Sequence, residues 1–85
     1  MHATTNLATL VRTYRRMNSF TVTELAANCE CAKSTISDIE RGKTYNISTL
    51  LAFSLAAVLD VSGDDILQAI YESSVNGSEP SEAEE

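Results

Sequence analysis

Apolar residues recur at intervals of three or four along most of the chain, which is the spacing of amphipathic helices. The central stretch between Thr21 and Lys43 contains two short apolar runs separated by a polar turn around Glu30. Thr21 and Glu24 fit a capping box at the start of the first run, and Gly42 suits a left-handed cap after the second. This stretch therefore predicts two short helices that cross at a steep angle.

The flanking sequence predicts three further helices. The first runs from about Asn6 to Asn18, the fourth from about Ser48 to Leu59, and the fifth starts with Ser62 as its N-cap. Because the fourth segment is apolar nearly all round, we expect it to be buried on more than one side.

Length and composition favour one small folded domain. The chain has 85 residues, of which 44% are hydrophobic, as in an ordinary globular protein with a modest core. The expected fold class is all-α, a compact five-helix domain in residues 6–73. Residues 1–5 are expected to be flexible, and residues 74–85, rich in Ser and Glu, to form a disordered acidic tail.

The second helix of the central pair has an apolar edge and a polar edge. Ala32, Ile36 and Ile39 would face the core. The polar edge carries cations and short hydrogen-bonding groups, which hold phosphates and read base edges in the major groove of DNA. Its members are Lys33, Ser34, Thr35, Ser37, Asp38 and Arg41. A solvated helix face in a small bundle is the alternative interpretation of this edge.

The distribution of charge matters more here than the net charge of −6. All six Lys and Arg residues lie between Arg12 and Lys43, a window with four acids, so the window carries +2 and the rest of the chain −8. The window has enough cations for phosphate contacts without being strongly basic. The acidic remainder should repel DNA, which would orient the protein and keep non-specific binding weak.

Four segments carry a family resemblance. They are Val11 with Arg15, TELA at Thr23–Ala26, STISDIERGK at Ser34–Lys43, and VLDVSGDDIL at Val58–Leu67. With these segments the chain resembles the helix-turn-helix family of phage repressors and Cro proteins, the lambda-repressor-like DNA-binding domains.

The resemblance implies a structural ion pair, and the sequence departs from the family pattern at three places. The family's Arg in helix one pairs with a Glu in helix three beneath the DNA-binding surface, which implies Arg15 with Glu40. Glu30 occupies the turn position that usually holds Gly, so a positive φ there would be strained. Val22 replaces the usual Gln, and Tyr45–Ile47 replaces a usual Pro.

The same resemblance implies sequence-specific binding to double-stranded DNA and control of transcription. The expected function is repression of phage or mobile-element genes by a homodimer on a near-palindromic operator. The residues expected to bind DNA are Thr21, Val22, Lys33, Ser34, Thr35, Ser37, Asp38, Arg41 and Lys43. Of these, Lys33, Ser34 and Asp38 hold the family's base-facing positions.

The last two helices hold more apolar residues than a core of this size needs, so we expect the homodimer interface there. The expected interface residues are Leu50, Phe53, Ile66, Ile70 and Tyr71.

The sequence does not indicate a metal site or a catalytic site. Cys29 and Cys31 are too few for a tetrahedral zinc site, and the lone His2 is far away in sequence. We expect Cys29 to pack as a small hydrophobe and Cys31 to be a free thiol in the turn. The sequence has no recognisable catalytic arrangement, so we expect no enzyme activity, no metal and no cofactor.

Location and partners follow from the same features. The sequence has no apolar run that could span a membrane and no signal peptide, so a reduced, cytoplasmic protein is expected. Two alternatives to a repressor stay open: the antitoxin of a toxin–antitoxin pair, and a helix-turn-helix module that binds protein. In the first, the acidic tail would contact a protein partner.

Overall fold

The computed structural model describes residues 6–77, which form five α-helices and a final π-helical turn with no β-strand among them. The helices are α1 (Leu7–Met17), α2 (Val22–Cys29), α3 (Lys33–Glu40), α4 (Thr49–Leu59) and α5 (Gly63–Glu72), and the π-helical turn is Ser73–Gly77. The all-α, five-helix expectation is confirmed. The predictions for residues 1–5 and 78–85 lie outside the described residues.

Side-chain caps begin four of the five helices, because an N-cap oxygen satisfies a backbone N–H that has no partner within the helix. Thr21 and Glu24 form the predicted capping box at the start of α2, with both hydrogen bonds present. Single caps begin the other three: Asn6 for α1, Ser48 for α4 and Ser62 for α5. The N-cap of α3 is Ala32, whose side chain makes no cap hydrogen bond.

The turn between α2 and α3 is made by Glu30 in the left-handed conformation, at φ 58° and ψ 44°. The Cys31 N–H donates to the carbonyl of Ala26 at 3.0 Å, and this hydrogen bond closes the turn. A left-handed residue other than Gly costs on the order of 1 kcal/mol. Gly42, after α3, adopts the predicted left-handed conformation at φ 77° without that cost.

The core lies where α1 packs against α3, α4 and α5, while α2 packs against α3 and α4. Every helix contributes to it, and the largest fully buried side chains are Leu7, Val11, Leu25, Ile36, Ile39, Leu55, Leu59 and Ile66. The single apolar cluster agrees with one small domain.

Two positions lie in environments other than those expected. Ile66, expected at the dimer interface, is only 1% exposed and belongs to the core. It lies in the first turn of α5, which packs against α4. Ala32 is exposed, because it precedes α3 in extended conformation and does not share the buried face of Ile36 and Ile39.

The end of α5 is anchored to the start of α1. Ser73 is buried, and its hydroxyl oxygen accepts a 2.9 Å hydrogen bond from the backbone N–H of Leu7. This bond satisfies a donor at the first turn of α1. The tail was expected to begin at Ser74, but the chain remains helical through Ser73–Gly77.

Candidate nucleic-acid interface

Helix α3 presents the predicted polar edge to solvent because Ile36 and Ile39 fix its opposite face in the core. Lys33 and Ser34 are exposed in its first turn. Ser37 and Asp38 are half-buried on the following turn. These four side chains therefore give α3 a cation, two hydroxyls and a carboxylate, which are groups that can contact phosphates and base edges.

Thr35 differs from its neighbours on α3. It is half-buried and lines a depression between the α2–α3 turn and the start of α4, together with Ser48 and Leu51. Thr35 therefore borders this depression beside α4 and is less exposed than Lys33 and Ser34.

The start of α2 supplies two further predicted residues, with different environments. Thr21 is exposed, and its hydroxyl already accepts the Glu24 N–H at 3.0 Å. Val22 is half-buried and packs against the core, so its side chain helps to stabilise the fold. Thr21 retains its hydroxyl proton for a phosphate.

The last turn of α3 is closed by two main-chain hydrogen bonds. The Gly42 N–H donates to the Ile39 carbonyl at 3.1 Å, and the Lys43 N–H donates to the Asp38 carbonyl at 2.9 Å. This is a Schellman motif, which requires the left-handed Gly42. It leaves the side chains of Arg41 and Lys43 exposed just beyond the helix.

Asp38 also contacts a cation. Arg41 Nη1 lies 4.0 Å from Asp38 Oδ1, and the side chains of Arg41 and Asp38 are 64% and 44% exposed. An exposed pair of this kind contributes no more than about 1 kcal/mol. Either partner can therefore exchange this contact for one with a ligand.

The Arg15–Glu40 ion pair implied by the family resemblance is present. Arg15 Nε donates to Glu40 Oε2 at 2.6 Å, and Arg15 Nη2 donates to Oε1 at 3.0 Å. The third nitrogen, Nη1, donates to the Phe20 carbonyl at 2.9 Å. The hydrogen bond with Glu40 raises the pKa of Arg15, against the opposing effect of burial and with added Coulomb attraction. One guanidinium thus links α1, α3 and the α1–α2 turn.

Sequence reasoning missed the role of Arg12, which it counted only among the cations of the basic window. Its Nη1 donates to the main-chain carbonyl of Glu40 at 3.0 Å. The sequence contained one indication that Arg12 could contact Glu40: Arg12 and Arg15 are three residues apart, so both lie on the same side of α1.

Comparison with known proteins agrees with this architecture. A helix-turn-helix family profile matches residues 11–66. The chain belongs to the helix-turn-helix family. It is 35% identical over 74 residues to the HTH-type transcriptional regulator SinR of Bacillus subtilis strain 168, covering 87% of this chain and 67% of SinR.

Two solved structures of SinR are also similar, each at a TM-score of 0.67 and 34% identity over 72% of this chain. One is the N-terminal DNA-binding domain of SinR, of which 88% is covered. The other is SinR, described as the master regulator for biofilm formation, in complex with DNA, of which 97% is covered. These comparisons support a DNA-binding transcription regulator, a type of protein that is not an enzyme.

The residues expected to form a dimer interface divide into three environments. Leu50, Phe53 and Tyr71 are exposed, at 75%, 72% and 59%. Ile70 is half-buried and packs against the core, and Ile66 is fully within it. A groove between α4 and α5, lined mainly by apolar residues, lies beside the exposed Phe53. It is lined by Thr49, Ala52, Phe53, Ala56, Gly63, Ile66 and Leu67.

The cysteines occupy the predicted environments. Cys29 is buried in α2, Cys31 is half-buried in the turn, and both are free thiols. Burial raises the pKa of Cys29 to about 11, helped by Coulomb repulsion from Cys31. Burial also raises the pKa of Cys31. Residues 6–77 contain no cluster of three or more potential metal ligands, and none of their helices is long and apolar enough to cross a membrane.

Proposed function

We propose that this protein is a cytoplasmic transcription repressor that binds a near-palindromic operator in double-stranded DNA as a homodimer. The observation that carries the proposal is the exposed first turn of α3, with Lys33 and Ser34, on a helix whose opposite face is fixed in the core. A helix held in this way can enter a major groove without reordering, which favours base-specific contacts. The similar SinR was solved in complex with DNA, which is consistent with this use of α3.

Dimerisation is part of the proposal because one small domain buries little DNA surface. The exposed Leu50, Phe53 and Tyr71 on α4 and α5 offer an apolar surface, and the groove beside Phe53 is lined mainly by apolar residues. Apolar surface of this kind on a small domain favours a protein partner, and a second copy would produce a two-fold interface. A two-fold dimer would in turn favour a near-palindromic operator.

Repression of phage or mobile-element genes is the regulatory role that we assign. It rests on the resemblance of the four sequence segments to phage repressors and Cro proteins. The acidic residues 78–85 are proposed as a contact for a basic protein partner, because four glutamates lie within these eight positions.

Selection of bound duplexes from a random DNA pool tests the proposed function. We expect the recovered sequences to share two inverted half-sites about one helical turn apart. Binding of the recovered duplex, measured by fluorescence anisotropy, should be at least about 1000-fold tighter than binding of a scrambled duplex. Recovery of no preferred sequence would contradict sequence-specific binding, and recovery of a single unpaired site would contradict the homodimer.

A further inference from the structure

We propose that Arg12 is a positioning residue for α3: it caps the last turn of this helix and so fixes its orientation towards DNA. The proposal rests on the proposed DNA-binding function and assigns to Arg12 no phosphate contact. The observation behind it is the 3.0 Å hydrogen bond from Arg12 Nη1 to the main-chain carbonyl of Glu40, across 28 residues of sequence.

The carbonyls at the end of α3 explain why such a donor is needed. The last carbonyls of a helix have no partner within the helix. Here the Asp38 and Ile39 carbonyls accept from Lys43 and Gly42, in the Schellman motif. The Glu40 carbonyl follows next along the chain, and Arg12 provides its donor. The side chain thus extends the cap that the main chain begins.

Charge gives the contact a second effect. A cation near a helix C-terminus interacts favourably with the negative end of the helix dipole. Arg12 adds such a charge from α1 to that of Arg41, which is the C-cap of α3. Because its donor is ionised, the hydrogen bond is also stronger than one between neutral groups.

Arg12 and Arg15 together hold one residue by both of its acceptor groups. Arg15 binds the Glu40 carboxylate, while Arg12 binds the Glu40 main-chain carbonyl. The carboxylate bond acts on α3 only through the rotatable bonds of the Glu40 side chain. The second bond is to the backbone, so the pair fixes the helix itself against α1.

The test compares Arg12→Ala with Arg16→Ala. Arg16 lies four residues further along α1, is exposed, and loses the same charge on substitution. Binding to a duplex selected from a random pool, and to a scrambled duplex, is measured by anisotropy across a salt series. Amide exchange of Gly42 and Lys43, measured by NMR, reports on the end of α3 without DNA.

For Arg12→Ala we expect roughly tenfold weaker binding to the selected duplex and faster exchange of both amides. We expect the slope of log K against log salt to stay at the wild-type value, because no phosphate contact is lost. Arg16→Ala should leave the exchange unchanged. A slope smaller by about 0.9 for Arg12→Ala would make it a phosphate contact and overturn the proposal. Unchanged affinity or unchanged exchange would overturn it as well.

Failure of the proposed function gives a different result. If wild-type protein binds no selected duplex, DNA binding itself fails and the positioning role falls with it, while the exchange rates still show whether Arg12 caps α3. Should Arg12→Ala not fold, Arg12→Met retains much of the aliphatic stem but loses both the hydrogen-bond donor and the charge. It should then show the same loss of affinity and the same faster exchange, and wild-type affinity and exchange in that variant would overturn the proposal.

Discussion

Arg15 of α1 and Glu40 of α3 are joined by two hydrogen bonds, although 25 residues of sequence separate them. Their side chains are only 13% and 10% exposed. Both charged groups are therefore largely removed from water, and each depends on the other for compensation. The pair fixes the spacing between α1 and the helix that carries the proposed DNA-contacting residues.

Removal of one partner should destabilise the protein strongly. We expect Arg15→Ala or Glu40→Ala to lower the free energy of unfolding by about 3 kcal/mol, because each leaves a buried charge without its partner. The double variant Arg15→Met with Glu40→Leu should recover much of that loss, since it buries no charge. Urea denaturation followed by circular dichroism measures all four proteins. Single variants as stable as wild type would contradict a buried, stabilising pair.

Base recognition by Lys33 can be separated from simple charge attraction. Lys33→Ala should change the preferred base pair at one operator position, with a loss of roughly 1–3 kcal/mol there, because Lys can donate to guanine O6 and N7. Lys43→Ala is the matched control, since Lys43 is exposed beyond α3 and should affect all sequences equally. Affinities for a panel of single-base operator variants provide the measurement. A uniform loss for Lys33→Ala would reassign it to a phosphate.

Local chemistry explains what the sequence could predict. Thr21 and Ser62 were recognisable as N-caps because a cap depends on residues within three positions of one another. Sequence could not show how α5 is rotated: Ile66, Leu67, Ile70 and Tyr71 form one apolar stripe, and only packing against α4 decides which of them are buried.

Contacts to the main chain are harder still to predict. Arg12 donates to a carbonyl of Glu40, and Leu7 donates to the hydroxyl of Ser73, across 28 and 66 residues. A main-chain carbonyl or N–H is present at nearly every residue, so the sequence gives no sign of which one a distant partner will use. The family resemblance supplied Arg15 with Glu40 because there both partners are side chains.

The proposed dimer can be tested at Phe53, which is exposed and lines the apolar groove between α4 and α5. Phe53→Asp should give a folded monomer with greatly weakened operator binding, because it places a charge in an apolar interface. Met17→Asp is the control, since Met17 is equally exposed at 68% but lies on α1. Ile70 is unsuitable, because it packs against the core and Ile70→Asp would disturb the fold.

Sedimentation equilibrium distinguishes these outcomes. Wild-type protein and Met17→Asp should sediment as dimers at high micromolar concentration, with Phe53→Asp as a monomer. In the dimer the two α3 helices should lie about 34 Å apart, which is one turn of DNA. A monomeric wild-type protein under these conditions would count against the interface.

Cys29 should make stability depend on pH at alkaline values. Its pKa is raised to about 11 in the folded protein, from 9.0, because burial disfavours the thiolate. Stability from the buried neutral thiol is therefore complete below pH 9 and is lost as the pH rises from about 9 to 11, by up to roughly 3 kcal/mol. Cys29→Ala lacks this titration, so the difference in unfolding free energy between the two proteins should narrow across that range. A constant difference would contradict the raised pKa.

The acidic segment 78–85 should weaken non-specific DNA binding through charge alone. It holds four of the twelve acids, so its deletion changes the net charge from −6 to −2. Deletion should tighten binding to a scrambled duplex at low salt, and the gain should shrink as added salt screens the charges.

Replacement of its four glutamates by glutamine, at full length, separates charge from excluded volume and should reproduce the gain. The helical core should stay folded, because the truncation removes none of the buried residues in 6–77. Equal affinities of the full-length, truncated and glutamine-substituted proteins across the salt series would leave the segment without a role in DNA binding.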